Sequence, residues 1–153
     1  MISRLLKIVL ALILIIILSP FLLTVALLVL ISDGRPVIFS QNRVGKNEVI
    51  FKMYKFRTMK KDTGEISKNE FKDPHLQITK LGKYLRKYSI DELPQLFNIL
   101  YGNMTFIGYR PGIKSELELH NLRRKKNIFN HLPGVSGWAQ VNGRNAISWD
   151  KKF

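Results

Sequence analysis

The chain has 153 residues, 46% of them hydrophobic, with 25 Lys+Arg against 11 Asp+Glu and no cysteine. That length allows one modest domain, and the absence of cysteine excludes a disulfide framework and thiolate metal sites. A formal net charge of +14 favours anionic partners such as nucleic acid, anionic lipid headgroups or phosphorylated small molecules.

In chain order, a short basic start (Arg4, Lys7) leads into Ile8–Ile31, an uncharged run built mostly of Leu, Ile, Val and Ala. All the acidic residues and all but two of the cations follow it. As a helix the run is roughly 36 Å long, enough for a hydrocarbon core of about 30 Å. It is too long for a signal peptide's apolar region, and no small-residue cleavage site follows. Ser19-Pro20 lies at its centre. Pro20 has no N–H for the carbonyl of Ile16, so the helix is expected to kink or break there. Basic residues flank both ends (Arg4 and Lys7 before, Arg35, Arg43 and Lys46 after), which favours both ends on the cytoplasmic side. A re-entrant helix hairpin over residues 1–32 satisfies both features; a kinked spanning helix is the alternative.

Residues 33–153 form the expected cytoplasmic domain. Asp33-Gly34-Arg35-Pro36 is a turn cluster. Residues 37–40 and the alternating stretch from Phe51 onward predict a β-hairpin, ending in Lys55-Phe56-Arg57 with two cations on one face. Residues 60–74 are polar and read as a loop or short polar helix. Thr79–Tyr88 places Leu81, Tyr84, Leu85 and Tyr88 on one helical stripe with a basic back. That back is either solvated or laid against anionic headgroups.

Leu93, Leu96, Phe97 and Leu100 repeat the helical spacing, and Gly102 is placed to end the helix. Pro94 is tolerated only in a first turn, so this helix is expected to start near Asp91. Ser89 or Asp91 would be its N-cap, and Ser89-x-x-Glu92 matches a capping box. Residues 104–108 predict a short extended piece, closed by a turn, Tyr109-Arg110-Pro111-Gly112, that displays Arg110. Residues 113–127 predict a helix carrying the basic tract Arg123-Arg124-Lys125-Lys126. Residues 132–145 are rich in Gly and Pro, with Trp138 expected inside and Arg144 outside, and Ile147 opens a further helical pattern.

The acidic pair Asp91-Glu92 stands out in so basic a chain. Locally, the pair is explained by a helix start, where the dipole favours carboxylates. Chemically, the pair allows one carboxylate to act as nucleophile or base while the other holds Mg²⁺, which takes one or two carboxylates plus phosphate oxygens and waters. Arg86, one to two helical turns back, can fork onto a phosphate. Lys55, Arg57, Arg110 and Arg144 are further phosphate candidates as a group, though each taken singly reads as a solvated surface cation. His75, His120 and His131 lack metal-site spacing.

Several motifs in order carry a resemblance: the apolar run with Ser19-Pro20; Asp33-Gly34-Arg35-Pro36-Val37-Ile38-Phe39 with Gln41-x-Arg43-Val44-Gly45; Tyr54-Lys55-Phe56-Arg57-Thr58-Met59; Leu85-Arg86-Lys87-x-Ser89-Ile90-Asp91-Glu92-Leu93-Pro94-Gln95-Leu96; Gly108-x-Arg110-Pro111; and Pro133-Gly134-Val135-Ser136-Gly137-Trp138-Ala139-Gln140-Val141-Asn142-Gly143-Arg144. On these the chain resembles the bacterial sugar transferases, small monotopic phosphoglycosyl transferases. The resemblance implies an α+β fold: a re-entrant membrane helix broken at Ser19-Pro20, then a small, mostly helical domain with a short β-hairpin and surface amphipathic helices. It implies transfer of sugar-1-phosphate from a UDP-sugar to polyprenol phosphate (undecaprenyl phosphate), an opening membrane step of polysaccharide or glycoconjugate assembly. Asp91 would be the nucleophile, Glu92 the Mg²⁺ ligand, and Lys55, Arg57, Arg86, Arg110, Pro111 and Arg144 the substrate-binding set. The implied setting is the cytoplasmic face of the bacterial inner membrane. Nucleic acid is not an expected partner, and a homodimer is left open.

Two departures stand out. Tyr109 occupies a place where the family usually has proline, which is expected to loosen the Arg110 turn. Family members also continue for some tens of residues beyond the position of Phe153, so the domain is expected to be C-terminally truncated. The competing reading is a membrane-anchored basic scaffold or anionic-ligand module, an inactive truncated relative whose Asp91-Glu92 only caps a helix.

Overall fold

A computed structural model of the chain describes residues 4–61 and 77–141. Arg144, most of the polar stretch 60–74 and the helical pattern from Ile147 lie outside the described residues. The order is α1 (Arg4–Asp33), β1 (Ile38–Val44), β2 (Ile50–Phe56), α2 (Lys80–Lys87), a 3-10 turn (Ile90–Glu92), α3 (Gln95–Leu100), β3 (Thr105–Ile107), α4 (Leu117–Lys125), β4 (Gly134–Ser136) and α5 (Trp138–Val141). This is an α+β arrangement built on one long apolar helix.

α1 is 30 residues long with Pro20 inside it. The expected separation into two helices is not seen, because the backbone stays helical through Ser19-Pro20. The reason is visible at the proline. Ser19 Oγ donates to the carbonyl of Ile16 at 2.8 Å, the carbonyl that Pro20 leaves without its N–H partner. Thr24 Oγ1 donates likewise to the Pro20 carbonyl at 2.8 Å. α1 is long and apolar enough to cross a membrane by length and composition.

One stripe of α1 packs on the rest of the chain. Ala11, Leu14, Ile15 and Leu18 cover Phe51, Met53, Leu96, Ile99 and Met104. Leu22, Val25, Ala26 and Val29 cover Phe56, Leu81, Leu85 and Ile90. These α1 positions follow the i, i+3, i+4, i+7 repeat through the proline. Leu5, Ile17, Leu23, Leu27 and Ile31 are exposed on other sides. Both ends of α1 reach the same domain. The Arg4 guanidinium lies 3.2 Å from where a Cβ on Gly102 would stand. At the other end Asp33 Oδ2 accepts from Thr79 Oγ1 at 3.0 Å, and Arg57 Nη2 donates to the carbonyls of Asp33 and Gly34.

β1 and β2 form the expected antiparallel hairpin, with Ile38 opposite Phe56 and Val44 opposite Ile50. The fully buried Asn98 of α3 joins this hairpin to the helices. Its Oδ1 accepts from the Tyr54 N–H at 3.0 Å and its Nδ2 donates to the Lys52 carbonyl at 2.7 Å. β3 and β4 form a parallel pair, Thr105 to Gly134 and Ile107 to Ser136, whose crossover contains α4. The Gly- and Pro-rich stretch therefore contains a strand that the sequence reading did not anticipate. Trp138 is 63% exposed, against the expectation that it is inside.

On α2, Leu81 and Leu85 pack inward, but Tyr84 and Tyr88 are exposed. Thr79 caps the helix, accepting from the Gly82 N–H at 2.9 Å. Gly82 lets α2 press on the backbone of Thr58, where an added Cβ would collide with the Thr58 carbonyl. Gly82→Ala is therefore expected to cost roughly 1–3 kcal/mol. The check is the thermal midpoint, which should drop by several degrees; an unchanged midpoint would mean that α2 can shift off Thr58 freely.

Candidate active site

The pair Asp91-Glu92 sits on the 3-10 turn Ile90–Glu92, one turn before α3. This corrects the expected helix start at Asp91. Ser89 takes a left-handed conformation (φ 57) and makes no side-chain cap, so the capping box does not form. Pro94 instead holds the N-cap position of α3. Ser89 still holds the N-cap position of the 3-10 turn, and both carboxylates stand in its first turn. Gly102, at φ 80, follows the end of α3 as expected.

The two carboxylates are treated differently. Glu92 Oε1 accepts from Lys55 Nζ at 2.6 Å and from Arg110 Nη2 at 3.2 Å. Burial would push Glu92 up, but the charges and hydrogen bonds of Lys55 and Arg110 outweigh it and hold Glu92 below its ordinary value. Asp91 is 7% exposed. Among the described residues it accepts no hydrogen bond from another side chain. Burial raises its pKa, the charge of Glu92 adds to that, and the charges of Lys55 and Arg86 only partly offset both. One carboxylate is clamped and ionised, while its neighbour is inside, near cations, and more basic than usual.

Lys55 reaches Glu92 because it lies on the same side of β2 as Phe51 and Met53, the buried positions. Burial lowers its pKa first, then the nearby Arg110 charge, against the pull of Glu92. Arg86 is held by its Nε donating to Thr58 Oγ1 at 2.8 Å, close enough to Asp91 for their charges to interact, with burial pushing its own pKa down. The structure therefore brings Lys55, Arg86, Arg110, Asp91 and Glu92 together, with Pro111 beside Arg110. Arg57 does not join this cluster. Its guanidinium is buried at the end of α1 on the Asp33 and Gly34 carbonyls.

Two residues outside the sequence candidates support this site. Arg43, on β1, donates from Nη1 to the Pro111 carbonyl at 3.3 Å and from Nη2 to Gln41 Oε1 at 2.6 Å. Arg123, the first residue of the basic tract 123–126, is only 3% exposed and donates to the Arg110 carbonyl. Its guanidinium stacks over the Tyr109 ring, 4.8 Å from the centroid, and Tyr109 packs edge-on against Phe129. Tyr109 is thus wedged under Arg123. The available signal for Arg123 was its register: Glu116, Leu119, His120 and Arg123 fall on one stripe of α4.

No group of three or more metal-binding side chains occurs among the described residues. Two carboxylates with phosphate oxygens and waters are nevertheless the donor set Mg²⁺ ordinarily uses. Glu92 Oε2, which makes no hydrogen bond among the described residues, leaves an oxygen suited to it. Beside Glu92 lies a cavity of about 260 Å³, lined by Ser89, Leu93, Leu96, Phe106, Val135, Ser136 and Val141.

Fold and site together define a small α+β domain seated on an apolar helix, with a carboxylate pair flanked by Lys55, Arg86 and Arg110. The chain belongs to the bacterial sugar transferase family, whose profile matches residues 1–153. It is 45% identical over 130 residues to the galactosyl transferase CpsE of Streptococcus agalactiae serotype III (strain NEM316), covering 76% of this chain and 28% of that protein. It is 42% identical over 135 residues to the uncharacterized sugar transferase EpsL of Bacillus subtilis (strain 168), covering 88% of this chain and 65% of that protein. It is 39% identical over 150 residues to the UDP-glucose:undecaprenyl-phosphate glucose-1-phosphate transferase of Escherichia coli (strain K12), covering 93% of this chain and 32% of that protein. The chain spans less than two thirds of the length of each of these relatives.

The pKa directions carry a stability prediction. Asp91, raised on folding, contributes stability below its unfolded pKa and loses it as pH rises through the folded value; Glu92, lowered, contributes above its unfolded pKa and loses that as pH falls through the folded value. At neutral pH Asp91→Asn should therefore melt no lower than the wild type, and Glu92→Gln a few degrees lower. The Asp91→Asn difference should vanish below the ordinary aspartate value of 3.8. A marked destabilisation by Asp91→Asn at pH 7 would contradict the assignment of Asp91 as the costly charge.

Proposed function

We propose that this chain transfers a sugar-1-phosphate from a UDP-sugar to undecaprenyl phosphate at the cytoplasmic face of a bacterial inner membrane. The observation that carries the reading is the unequal treatment of Asp91 and Glu92, in a chain of this family and with relatives named for that transfer. Asp91, buried and without a hydrogen-bond donor from another described side chain, is the nucleophile. Its carboxylate oxygen attacks the phosphorus that bears the sugar, the bond to the bridging oxygen breaks, and UMP leaves. The lipid phosphate oxygen then attacks the same phosphorus, the acyl phosphate bond breaks, and Asp91 returns as carboxylate beside polyprenyl diphosphate sugar. Two in-line displacements let two substrates of different solubility use one site in turn.

Lys55, Arg86 and Arg110 supply positive charge where the phosphoryl oxygens carry negative charge. Glu92, through Oε2, would hold Mg²⁺, which neutralises phosphate charge when bound. The named sugars differ between relatives, galactosyl for one and glucose for another, so membership of the family does not fix the sugar. Membrane-embedded full chain should release UMP from at least one of a panel of UDP-sugars with Mg²⁺, and Asp91→Asn should reduce this by at least about a thousandfold. Turnover that survives Asp91→Asn would overturn the nucleophile.

The proposal includes a helix that does not cross the bilayer. Arg4 lies near Gly102 and Asp33 bonds to Thr79, which supports both ends of α1 on the same face. The chain lacks cysteine, so Ser3→Cys and Ser40→Cys give single labels. In spheroplasts a membrane-impermeant maleimide should label neither until lysis; labelling of one alone would mean a spanning helix.

A further inference from the structure

Three consecutive carbonyls of the turn that carries Arg110 are caught from three directions. The Arg110 carbonyl accepts from Arg123 Nη2 on α4. The Pro111 carbonyl accepts from Arg43 Nη1 on β1 at 3.3 Å. The Gly112 carbonyl accepts from the Val44 N–H at 2.9 Å. One residue further on, the Ile113 N–H donates to Glu116 Oε2 at 2.9 Å and its carbonyl is bonded to His120 Nε2 at 2.8 Å. The backbone is held throughout, while the side chain it presents, Arg110, is 46% exposed and touches Glu92.

Using guanidinium groups for this is costly. A buried cation is disfavoured unless it is paired, and Arg43 makes no ion pair among the described residues. Burial, followed by the charge of Arg110, pushes Arg43 down to about 10. A neutral donor would serve the Pro111 carbonyl if only packing were at stake. A planar guanidinium does more: fixed at Gln41 by one nitrogen, it delivers another along a set direction. Arg43 is half-buried, and both of its terminal nitrogens are engaged, Nη1 on the Pro111 carbonyl and Nη2 on Gln41, which ties Arg43 to the turn.

We propose that Arg43 and Arg123 are positioning residues, holding the Arg110–Gly112 turn by its carbonyls so that the Arg110 side chain faces Glu92 and the phosphates brought there. This rests on the transferase reading, in which Arg110 contacts phosphate. A turn displaced by about 1 Å can cost up to about a hundredfold in rate.

The test is a pair of double-mutant cycles on the full chain in lipid nanodiscs, scored by kcat/KM for UMP release. Arg43→Gln and Arg123→Lys are each made with Arg110 present and in an Arg110→Ala background. Each should lower kcat/KM by about tenfold or more when Arg110 is present, and by less than about twofold when it is absent. Their thermal shifts should be the same in both backgrounds. Equal kinetic losses in both backgrounds would overturn the proposal, since a general structural role predicts that. If wild type releases no UMP, the transferase reading fails by itself. In that case, or if Arg110→Ala is too slow to assay, amide hydrogen exchange decides. In Arg43→Gln the Val44 and Ile113 amides should exchange faster while Tyr54 is unchanged; no change at Val44 and Ile113 would overturn the positioning role.

Discussion

The ion pair between Lys55 and Glu92, 2.6 Å apart, is the contact on which the site depends. It joins the hairpin to the 3-10 turn, two pieces of chain far apart in sequence. Lys55 can reach only because β2 turns its Phe51–Met53 side toward α3, and that facing is enforced by α1 packing beneath both. Asn98 then removes the remaining sliding freedom by bonding to β2 backbone on either side of Met53. With Glu92 neutralised in this way, a second carboxylate can be buried next to it without two unpaired charges in one place.

This division explains how adjacent acids can take separate parts. Glu92 remains ionised because Lys55 and Arg110 face it. Asp91 is left with a higher affinity for a proton, which makes it the better nucleophile once ionised. The setting of α1 has a related logic. In water its covered stripe would gain from hydrophobic burial. Against lipid that advantage falls away, and close packing together with polar contacts must hold the helix to its domain. The Asp33, Thr79 and Arg57 contacts at one end and Arg4 near Gly102 at the other are suited to that task. They also fix how deep the carboxylates lie relative to the apolar surface.

Much of this was legible in the sequence where the cause is local. The apolar run, the hairpin, the α2 helix, the Gly102 stop and the prominence of Asp91, Glu92, Arg86 and Arg110 all follow from spacing and residue type. The misreadings come from distant partners. Lys55 and Arg57 are two residues apart in one motif, yet one goes to the carboxylates and the other to the end of α1. Arg123 is one of four consecutive cations in the sequence, and only the fold shows Tyr109 beneath it. The parallel pairing of β3 with β4 needs a crossover that runs from residue 108 to residue 133, beyond any local pattern. Ser89 misled because its αL conformation defeats a capping box that the spacing alone supports. Ser19 beside Pro20 reads as half of a break, whereas its hydroxyl bonds the Ile16 carbonyl that Pro20 leaves without a partner.

The account turns on a covalent role for Asp91. The most direct test is peptide mass spectrometry of the membrane-embedded chain after rapid mixing with a UDP-sugar and Mg²⁺, with the lipid acceptor withheld. The peptide containing Asp91 should gain the mass of one sugar phosphate, and adding polyprenol phosphate should discharge it. Formation of UMP and lipid-linked product at full rate, with Asp91 never modified, would contradict the account.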